Sequence, residues 1–250
     1  MKDSLVIIPT YNEKENVELI LKAVFSLAHP FDILVVDDNS PDGTADIVRH
    51  IQGNLADTAM QNRLHLIQRE GKQGLGTAYI KGFEFALEKD YEYIFEMDAD
   101  FSHSPQDLLS LYRTCATDQY DMAVGSRYIS GVNVVNWPLG RVMISYFASF
   151  YVRFITGIKI KDSTAGFVCY KRKVLETIRL DKIRFIGYAF QIEMKFWTVK
   201  LGFKVKEVPI IFTDRIRGKS KMSISIFQEA FFGVISMQLT SLFKPSYMKK

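Results

Sequence analysis

Two aspartates separated by one residue end an apolar run near the middle of the chain. Asp98 and Asp100 close the segment FEMDADFSH, which begins at residue 95. Two carboxylates this close repel each other, and a divalent cation removes the repulsion. Hard oxygen ligands suit Mg²⁺ or Mn²⁺, which also bind phosphates. We therefore predict a metal site; the alternative is that one carboxylate caps a helix beginning near Ser104-Pro105.

Two other polar motifs also follow apolar runs. DDNSPDG follows ILVV, and PTYNE follows LVII. DDNSPDG consists of turn-forming residues, but a turn does not explain two adjacent aspartates after such an apolar strand. We predict that a carboxylate there accepts hydrogen bonds from a ribose or a base edge.

A glycine-rich stretch, GLGTAYIKG, begins at Gly74. It resembles part of a dinucleotide fingerprint, but Tyr79 stands where the third glycine belongs and the stretch follows the third strand rather than the first. A phosphate-binding loop and a flexible loop at a helix start both remain open for it.

Several basic residues lie in short polar loops between apolar segments. They are Arg127, Arg141, Arg215, Lys219 and Lys221. Guanidinium and ammonium groups are the usual partners of phosphates in proteins. We predict phosphate binding for Arg127 in GSRY and for the group RIRGKSK, whereas Lys219 alone is interpreted as a solvated surface charge.

The elements that must hold these residues alternate along the first half of the chain. The apolar runs predict strands at 4–9, 32–38, 63–68 and 91–100, and helical spacing predicts helices at 12–27, from Asp42 or Thr44 through Ile51, and up to about Lys89. Such alternation predicts an α/β fold with a parallel sheet and helices on both faces. The polar motifs then share the carboxyl edge, where ligands bind in such sheets.

The second half of the chain is less regular. We predict strands in DMAVGSRY, AGFVCYKR and FKVKEVPIIF, a basic loop in DRIRGKSKMS, and helices at 142–156 and 223–243. If the reaction requires a general base, Asp162 and Glu193 in this half of the chain could serve. The four histidines show no ligand spacing, so we expect them on surfaces or at caps.

Composition limits the class of protein. The chain has 250 residues, of which 48% are hydrophobic, and a net charge of +4 from 32 basic and 28 acidic residues. This is globular composition with a basic bias too weak for a dedicated nucleic-acid binder, so no nucleic-acid partner is expected. The two cysteines, Cys115 and Cys169, fit a reducing, cytoplasmic compartment. The N-terminus is interpreted as a first strand rather than a signal peptide.

The predicted C-terminal helix is amphipathic. A polar stripe is formed by Ser225, Glu229, Ser236 and Thr240, and the opposite side by Phe227, Phe231, Val234, Ile235 and Leu242. The uncharged stretch 230–243 has 14 residues, fewer than the ~20 needed to span a bilayer. With the basic tail KPSYMKK, it predicts a helix lying in a membrane interface. The alternative is a helix packed on the core; the aromatic run ISYFASFYVRF is a second candidate for lipid contact.

The ordered motifs carry a resemblance to a known family. With PTYNE, DDNSPDGT, GLGTA, DADFSHSP and GSRY in this order, the chain resembles the family 2 glycosyltransferases, and within them the polyprenol-phosphate (dolichol-phosphate) mannose synthases. WPLGRVMIS, STAGFVCYKR, GYAFQIEM and DRIRGKSKMS extend the likeness over residues 4–225. The resemblance implies a GT-A type Rossmann-like fold, a catalytic domain at 1–222, and an interfacial helix and tail at 223–250.

The resemblance also implies an activity: inverting transfer of mannose from GDP-mannose to a polyprenyl or dolichyl phosphate, with Mg²⁺ or Mn²⁺, at the cytoplasmic face of a membrane. It implies nucleoside binding by Pro9, Tyr11, Glu13, Val36 and Asp38. Metal and diphosphate are assigned to Asp98, Ala99 and Asp100, with Ser102 as a further metal contact, and phosphates to Arg127, Arg215 and Lys221. Many relatives continue into membrane-spanning helices; members that lack them rely on a surface helix or an anchoring partner subunit.

The acceptor chemistry agrees with this residue set. A phosphate monoester has a second pKa of about 6, so it is mostly a dianion at pH 7 and needs no general base. It needs cations, and the motifs are rich in them. The rivals are transfer of another sugar, such as glucose from UDP-glucose, and a non-catalytic subunit that binds a nucleotide sugar. The intact Asp98 and Asp100 pair counts against the second.

Overall fold

The structure is a computed structural model, and it describes residues 3–55, 60, 62–187, 189–214 and 224–242. In the last of these ranges, the side chains described are those of residues 232–241. The basic loop predicted in DRIRGKSKMS, with Arg215, Lys219 and Lys221, lies outside the described residues after Asp214.

The strands within these ranges form one large sheet and one small one. In chain order they are β1 (Ser4–Thr10), β2 (Asp32–Asp37), β3 (Leu64–Gln68), β4 (Tyr93–Glu96), β5 (Met122–Ser126), β6 (Val134–Val135), β7 (Val168–Lys171), β8 (Val205–Pro209) and β9 (Phe212–Thr213). The large sheet has the order β3-β2-β1-β4-β7-β5-β8, and β6 pairs with β9. The α/β fold class predicted from the sequence is confirmed.

The sheet is mixed, so the prediction of a parallel sheet holds only in part. β1, β2, β3 and β4 are mutually parallel, as are β5 and β8, but β7 runs antiparallel to both of its neighbours. The reason is the path of the chain. β5 ends at the carboxyl edge, and residues 162–167 bring the chain back into the sheet from that same edge.

The helices match the predicted positions more closely than the predicted ends. They are α1 (Val17–Phe25), α2 (Thr44–Leu55), α3 (Leu75–Glu88), α4 (Asp107–Ala116), α5 (Leu139–Thr156), α6 (Arg172–Thr177), α7 (Ala189–Lys200) and α8 (Ile224–Leu242), with a 3₁₀ turn at Leu180–Lys182. Helix α1 begins five residues later than predicted, because residues 11–16 form the loop after β1. The sequence did not predict α6 or α7.

Two apolar layers cover the two faces of the sheet. On one face, Val6, Ile8, Val35 and Phe95 pack with the buried sides of α1, α2 and α4. On the other face, strand residues such as Ile7 and Ile94 pack with residues of α3, α5, α6, α7 and α8. This second layer includes Val234 and Met237 of α8.

Helix α8 therefore packs on the protein and not apart from it. It contacts α5 and α7, and the buried Val234 lies on the side that we expected to face lipid. On the described part of α8, Phe232, Ile235 and Leu239 are exposed. No helix in the described ranges has the length and apolar character needed to cross a membrane.

Glycines on α2 and α3 provide a test of this packing. A Cβ added at Gly82 of α3 would lie 2.6 Å from Cγ2 of the buried Ile7, whereas one at Gly53 of α2 would meet nothing within 4 Å. We expect Gly82→Ala to lower the free energy of unfolding by about 1–3 kcal/mol through overpacking. Gly53→Ala should raise it by up to about 1 kcal/mol through helix propensity. Urea unfolding measures both, and a Gly82→Ala variant as stable as the wild type would contradict this packing.

Candidate active site

The loops after β1 and β2 are held together by hydrogen bonds. Asp37, which is fully buried, accepts from Thr10 Oγ1 at 2.8 Å and from the amide and hydroxyl of Ser40 at 2.9 and 2.6 Å. The Ser40 hydroxyl in turn accepts from the Asn12 amide at 3.0 Å. Asp37 therefore maintains the edge of the sheet, and its neighbour Asp38 is the carboxylate that faces the site.

Asp38 is paired with Arg69, which follows β3. Arg69 Nε donates to Asp38 at 2.6 Å, and its Nη1 and Nη2 donate to Thr77 Oγ1 at 2.7 Å and the Gly74 carbonyl at 3.2 Å. Burial raises the pKa of Asp38, and Arg69 opposes that rise. One guanidinium thus fixes the predicted nucleoside carboxylate to the glycine-rich loop. Reasoning from the sequence missed Arg69, because no motif marks it.

The other predicted nucleoside residues are not all accessible. Pro9, Tyr11 and Glu13 are partly exposed at the end of β1, and Lys72 Nζ lies 5.4 Å from the centre of the Tyr11 ring. Val36 pairs with Pro9 in the sheet and has no exposed surface. Its side chain packs in the apolar core, and its contact with the nucleoside stays a prediction.

The glycine-rich loop has its composition because another segment docks against it. A Cβ at Gly76 would lie 2.8 Å from both the Phe185 carbonyl oxygen and the Phe190 ring, and the Gly76 amide donates to the Ile186 carbonyl at 2.8 Å. Gly74 has φ +102°, a left-handed conformation that favours glycine. The stretch lies at the start of α3, with Gly74 as the N-cap, as one of the two interpretations expected, and these packing contacts account for both glycines.

Asp98 and Asp100 lie in the loop that follows β4. Asp98 is half-buried and Asp100 is 7% exposed, with one Asp100 oxygen accepting from the Ser102 amide at 3.0 Å. Between them and Ser102, Phe101 has φ +60°, which turns the chain sharply. The Ser102 carbonyl accepts from the Thr213 amide at 3.2 Å. This bond ties the loop to β9.

The competing helix-cap interpretation does not fit. Helix α4 begins only at Asp107, and no side chain caps it. The amides of Asp107 and Leu108 bond to the carbonyls of Ser104 and Pro105. The backbone thus starts the helix without either of the two earlier aspartates.

The oxygen set fits a divalent cation that arrives with a phosphate ligand. The described residues include no group of three or more His, Cys, Asp or Glu side chains placed to hold a metal ion. Mg²⁺ in enzymes is often held by only one or two carboxylates, with substrate phosphates and waters completing its shell. Asp98 and Asp100 match that pattern, and the Ser102 contact stays a prediction.

Arg127, at the end of β5, forms a buried ion pair with Asp162. Its Nε and Nη2 donate to the two Asp162 oxygens at 2.7 and 2.6 Å, and its amide donates at 2.9 Å. Nη2 also donates to Thr164 Oγ1 at 2.8 Å. The guanidinium carbon lies 5.3 to 5.6 Å from the ring centres of Tyr128, Trp137 and Phe212. Nη1 is the group left for the predicted phosphate contact.

Both candidate bases are fully buried and accept hydrogen bonds from backbone amides. Burial alone would raise the pKa of Asp162, but the guanidinium and the hydrogen bonds of Arg127 bring it below its usual value. Glu193, on α7, accepts from the amides of Arg184 and Phe185 at 2.9 and 3.0 Å, which fixes the segment that docks on the glycine-rich loop. Burial raises the pKa of Glu193. Both carboxylates hold backbone in place.

Arg141 supplies a second, more accessible cation near Arg127. Its guanidinium carbon lies 4.1 Å from the centre of the Trp137 ring, and Nη1 donates to Asp214 at 2.9 Å. Both side chains of this pair are about one quarter exposed. Arg141 therefore stands at the opening of the region that holds Arg127.

His103 corrects the prediction that the histidines lie on surfaces or at caps. It is 3% exposed, stacked on Phe167 at 4.8 Å between ring centres and edge-on to Phe212 at 5.2 Å. Burial lowers the pKa of His103 to about 4, with Arg127 adding to the shift and Asp100 opposing it. The imidazole is therefore neutral at pH 7 and packs as an aromatic ring beneath the metal loop.

The model of the family described as "Glycosyl transferase family 2" matches residues 5–179, which is more than half of the chain. The chain belongs to glycosyltransferase family 2.

Two relatives are similar over nearly the whole chain. A polyprenol monophosphomannose synthase from Mycolicibacterium smegmatis is 46% identical over 231 residues, covering 92% of this chain and 85% of the relative. An undecaprenyl-phosphate mannosyltransferase from Micrococcus luteus is 44% identical over 232 residues, covering 92% of this chain and 91% of the relative.

Solved structures share the fold at low identity. Glucosyl-3-phosphoglycerate synthase from Mycobacterium tuberculosis, in complex with Mn²⁺, UDP and glucosyl-3-phosphoglycerate, superposes with a TM-score of 0.67 at 16% identity, covering 98% of this chain and 81% of that chain. Its complex with Mn²⁺, UDP and phosphoglyceric acid gives 0.68 at 15% identity, covering 98% and 80%. At this identity the likeness supports the fold alone.

The two arginine–aspartate pairs allow a matched test. Asp162→Asn leaves the buried Arg127 charge without its partner, so the free energy of unfolding should fall by about 3–5 kcal/mol. Asp214→Asn affects a part-exposed pair and should cost less than about 1 kcal/mol. Chemical denaturation at pH 7 measures both values. Equal losses in the two variants would show that the Arg127 pair is not a buried constraint.

The same pair predicts an acid dependence. Because the pKa of Asp162 is lower in the folded than in the unfolded protein, its stabilisation is present above the unfolded pKa and is lost as the pH falls through the folded pKa. The stability gap between wild type and Asp162→Asn should therefore shrink as the pH falls from 7 towards 3. Urea unfolding at each pH gives this gap, and a constant gap would contradict the pairing.

Proposed function

We propose that this protein transfers mannose from GDP-mannose to a polyprenyl monophosphate of the dolichyl or undecaprenyl type, with inversion at the sugar. The observation that carries the proposal is the arrangement around Arg127. The two-carboxylate loop lies beside two arginines, while the nearby carboxylates Asp162 and Glu193 are already engaged. The names of the two relatives described above support mannose and a polyprenyl phosphate.

The donor half of the site would be formed by the loops after β1, β2 and β4. Pro9, Tyr11, Glu13 and Asp38 would bind the nucleoside, with Asp38 oriented by Arg69. Asp98 and Asp100, flanking the backbone of Ala99, would hold Mg²⁺ or Mn²⁺ against the diphosphate. When bound, the cation neutralises charge on the leaving diphosphate. The Mn²⁺ and UDP in the structural relatives are consistent with a divalent cation.

The acceptor half needs positive charge more than it needs a base. A phosphate monoester is mostly a dianion near pH 7, so its oxygen attacks without losing a proton. It must approach a second anion, and cations lower that repulsion. Arg127 and Arg141 would supply this charge, together with Arg215 and Lys221 from the segment outside the described residues. A hydroxyl acceptor would require an accessible carboxylate base, and Asp162 and Glu193 are both fully buried.

The lipid tail of the acceptor would lie along an apolar surface on one side of the molecule. Helices α5 and α8 pack together, and apart from Ser236 the exposed side chains described on them are apolar: Leu139, Met143, Ile144, Tyr146, Phe147, Phe150, Phe154, Phe232, Ile235 and Leu239. We call this set the apolar face. An exposed surface of this kind marks a membrane or protein contact. We propose that it rests on the cytoplasmic side of a membrane, alone or with an anchoring partner subunit.

Transfer of the same kind with another donor is the nearest alternative. UDP-glucose would bind at the same edge of the sheet. The types of the predicted nucleoside-binding residues do not decide between guanine and uracil. The mannosyltransferase names of the relatives favour mannose. A non-catalytic subunit is disfavoured because both aspartates of the metal loop are present.

Radiolabelled donors test the metal site directly. Label should move from GDP-mannose to polyprenyl phosphate in detergent with Mg²⁺ or Mn²⁺, not with EDTA, and not from UDP-glucose. Asp98→Asn and Asp100→Asn should each lower the rate at least 100-fold, because they remove the charge that holds the cation. Asp46→Asn, which changes an exposed aspartate on α2, is the control and should keep the wild-type rate. Full activity of both loop variants would refute the assignment.

Vesicle binding tests the apolar face. A double variant, Phe147→Ser with Phe154→Ser, removes two rings that are 58% and 77% exposed on α5. Burying such rings in lipid is worth about 1.5–3 kcal/mol each, so partitioning onto anionic vesicles should fall at least tenfold. Leu19→Ser changes an exposed leucine of α1 on the other face of the sheet and should have no effect. Unchanged partitioning of the double variant would exclude this face as the membrane contact.

A further inference from the structure

A lysine without exposed surface lies on α7, on the sheet face opposite α1. Lys195 Nζ donates to the Ala165 carbonyl at 2.6 Å, and to the carbonyl and side-chain oxygen of Gln191 at 3.1 Å each. All three acceptors are neutral. A buried ammonium is costly unless charges or hydrogen bonds compensate it, so its retention beneath a site calls for an explanation.

The contact with Gln191 connects Lys195 to the metal loop. Gln191 Nε2 donates to Glu96 at 2.5 Å, and Glu96 is fully buried as the last residue of β4. Glu96 lies two residues before Asp98. Burial raises the pKa of Glu96 to about 7, and the positive charge of Lys195 opposes that rise. The end of the strand that presents the metal carboxylates is thus attached to α7.

The contact with Ala165 connects Lys195 to Arg127, the cation that would face the acceptor phosphate. The Ala165 carbonyl accepts the hydrogen bond from Lys195 Nζ. The Ala165 amide donates to the Asp162 carbonyl at 3.4 Å, and this bond closes a turn. The side chain of Asp162 holds Arg127 by three hydrogen bonds. Burial lowers the pKa of Lys195 to about 8, while the charges of Glu96 and Asp162 keep it from falling further. One ammonium therefore contacts the supports of both halves of the site.

We propose that Lys195 is a positioning residue for sugar transfer, which sets the spacing between the metal loop and Arg127. It does so by fixing the turn at residues 162–165 and, through Gln191, the end of β4 at Glu96. The inference rests on the proposed function, in which a metal-bound diphosphate and an acceptor phosphate must be held side by side. A small change in the spacing of groups that stabilise two anions costs rate steeply.

Lys195→Met tests the proposal, since it keeps the length of the side chain and removes the ammonium. We expect kcat for transfer from GDP-mannose to fall at least tenfold. The affinity for Mn²⁺ in the presence of GDP, measured by calorimetry, should fall at least threefold. GDP affinity without metal should stay within twofold, because the nucleoside residues lie at β1 and β2. Lys200→Met, on the exposed side of the same helix, is the matched control and should change none of these values.

A second variant separates positioning from compensation of charge. Glu96→Gln combined with Lys195→Met removes both buried charges, so thermal stability should recover towards that of the wild type while kcat stays at least tenfold low. Recovery of kcat to within threefold of the wild type would overturn the proposal. So would failure of both variants to fold, which would assign Lys195 to stability alone.

The wild type is assayed first, so that two failures can be told apart. If the wild type transfers no sugar from GDP-mannose, the proposed donor or acceptor is wrong. The positioning role is then judged from Mn²⁺ affinity with GDP: a threefold loss in Lys195→Met supports it, and unchanged affinity overturns it.

Discussion

The ion pair between Arg127 and Asp162 is the interaction on which the rest of the site depends. It joins the end of β5 to the turn that precedes β7, and both side chains are almost fully buried. Breaking one partner of a buried pair is far more costly than losing a surface pair. The pair therefore fixes where the chain re-enters the sheet, which makes β7 antiparallel, and it holds a guanidinium at the carboxyl edge.

The remaining site places opposite charges at that edge on separate segments of the chain. Asp98 and Asp100 are presented by the loop after β4, whereas the arginines come from β5 and α5. Backbone hydrogen bonds, such as that from Thr213 to Ser102, tie the two sides together. Such a preformed arrangement favours a reaction between two anions, because the compensating charges are in place before either ligand arrives.

Much of this was predictable from the sequence where the signal is local. Apolar runs gave the strands, and the motifs at their ends marked the two-carboxylate loop of Asp98 and Asp100, whereas Asp38 was singled out by the family resemblance; the roles of all three stay predictions. Helix α7 was missed because apolar and polar residues alternate strictly from Phe190 to Phe196, a spacing typical of a strand, although all of these residues are buried in a helix. The direction of β7 and the burial of His103 and Val36 depend on contacts between distant segments. The partners Arg69 and Lys195 carry no local signature, because their roles exist only in the folded chain.

The central claim is that the acceptor is a phosphate, and a comparison of two acceptors tests it most directly. Transfer of label from GDP-mannose would be measured to a polyprenyl phosphate and to the polyprenol of the same chain length, under identical detergent and metal conditions. The account predicts transfer to the phosphate and none to the alcohol, since the site has cations for a dianion and its nearby carboxylates are engaged. Comparable transfer to the alcohol, or none to the phosphate, would contradict it.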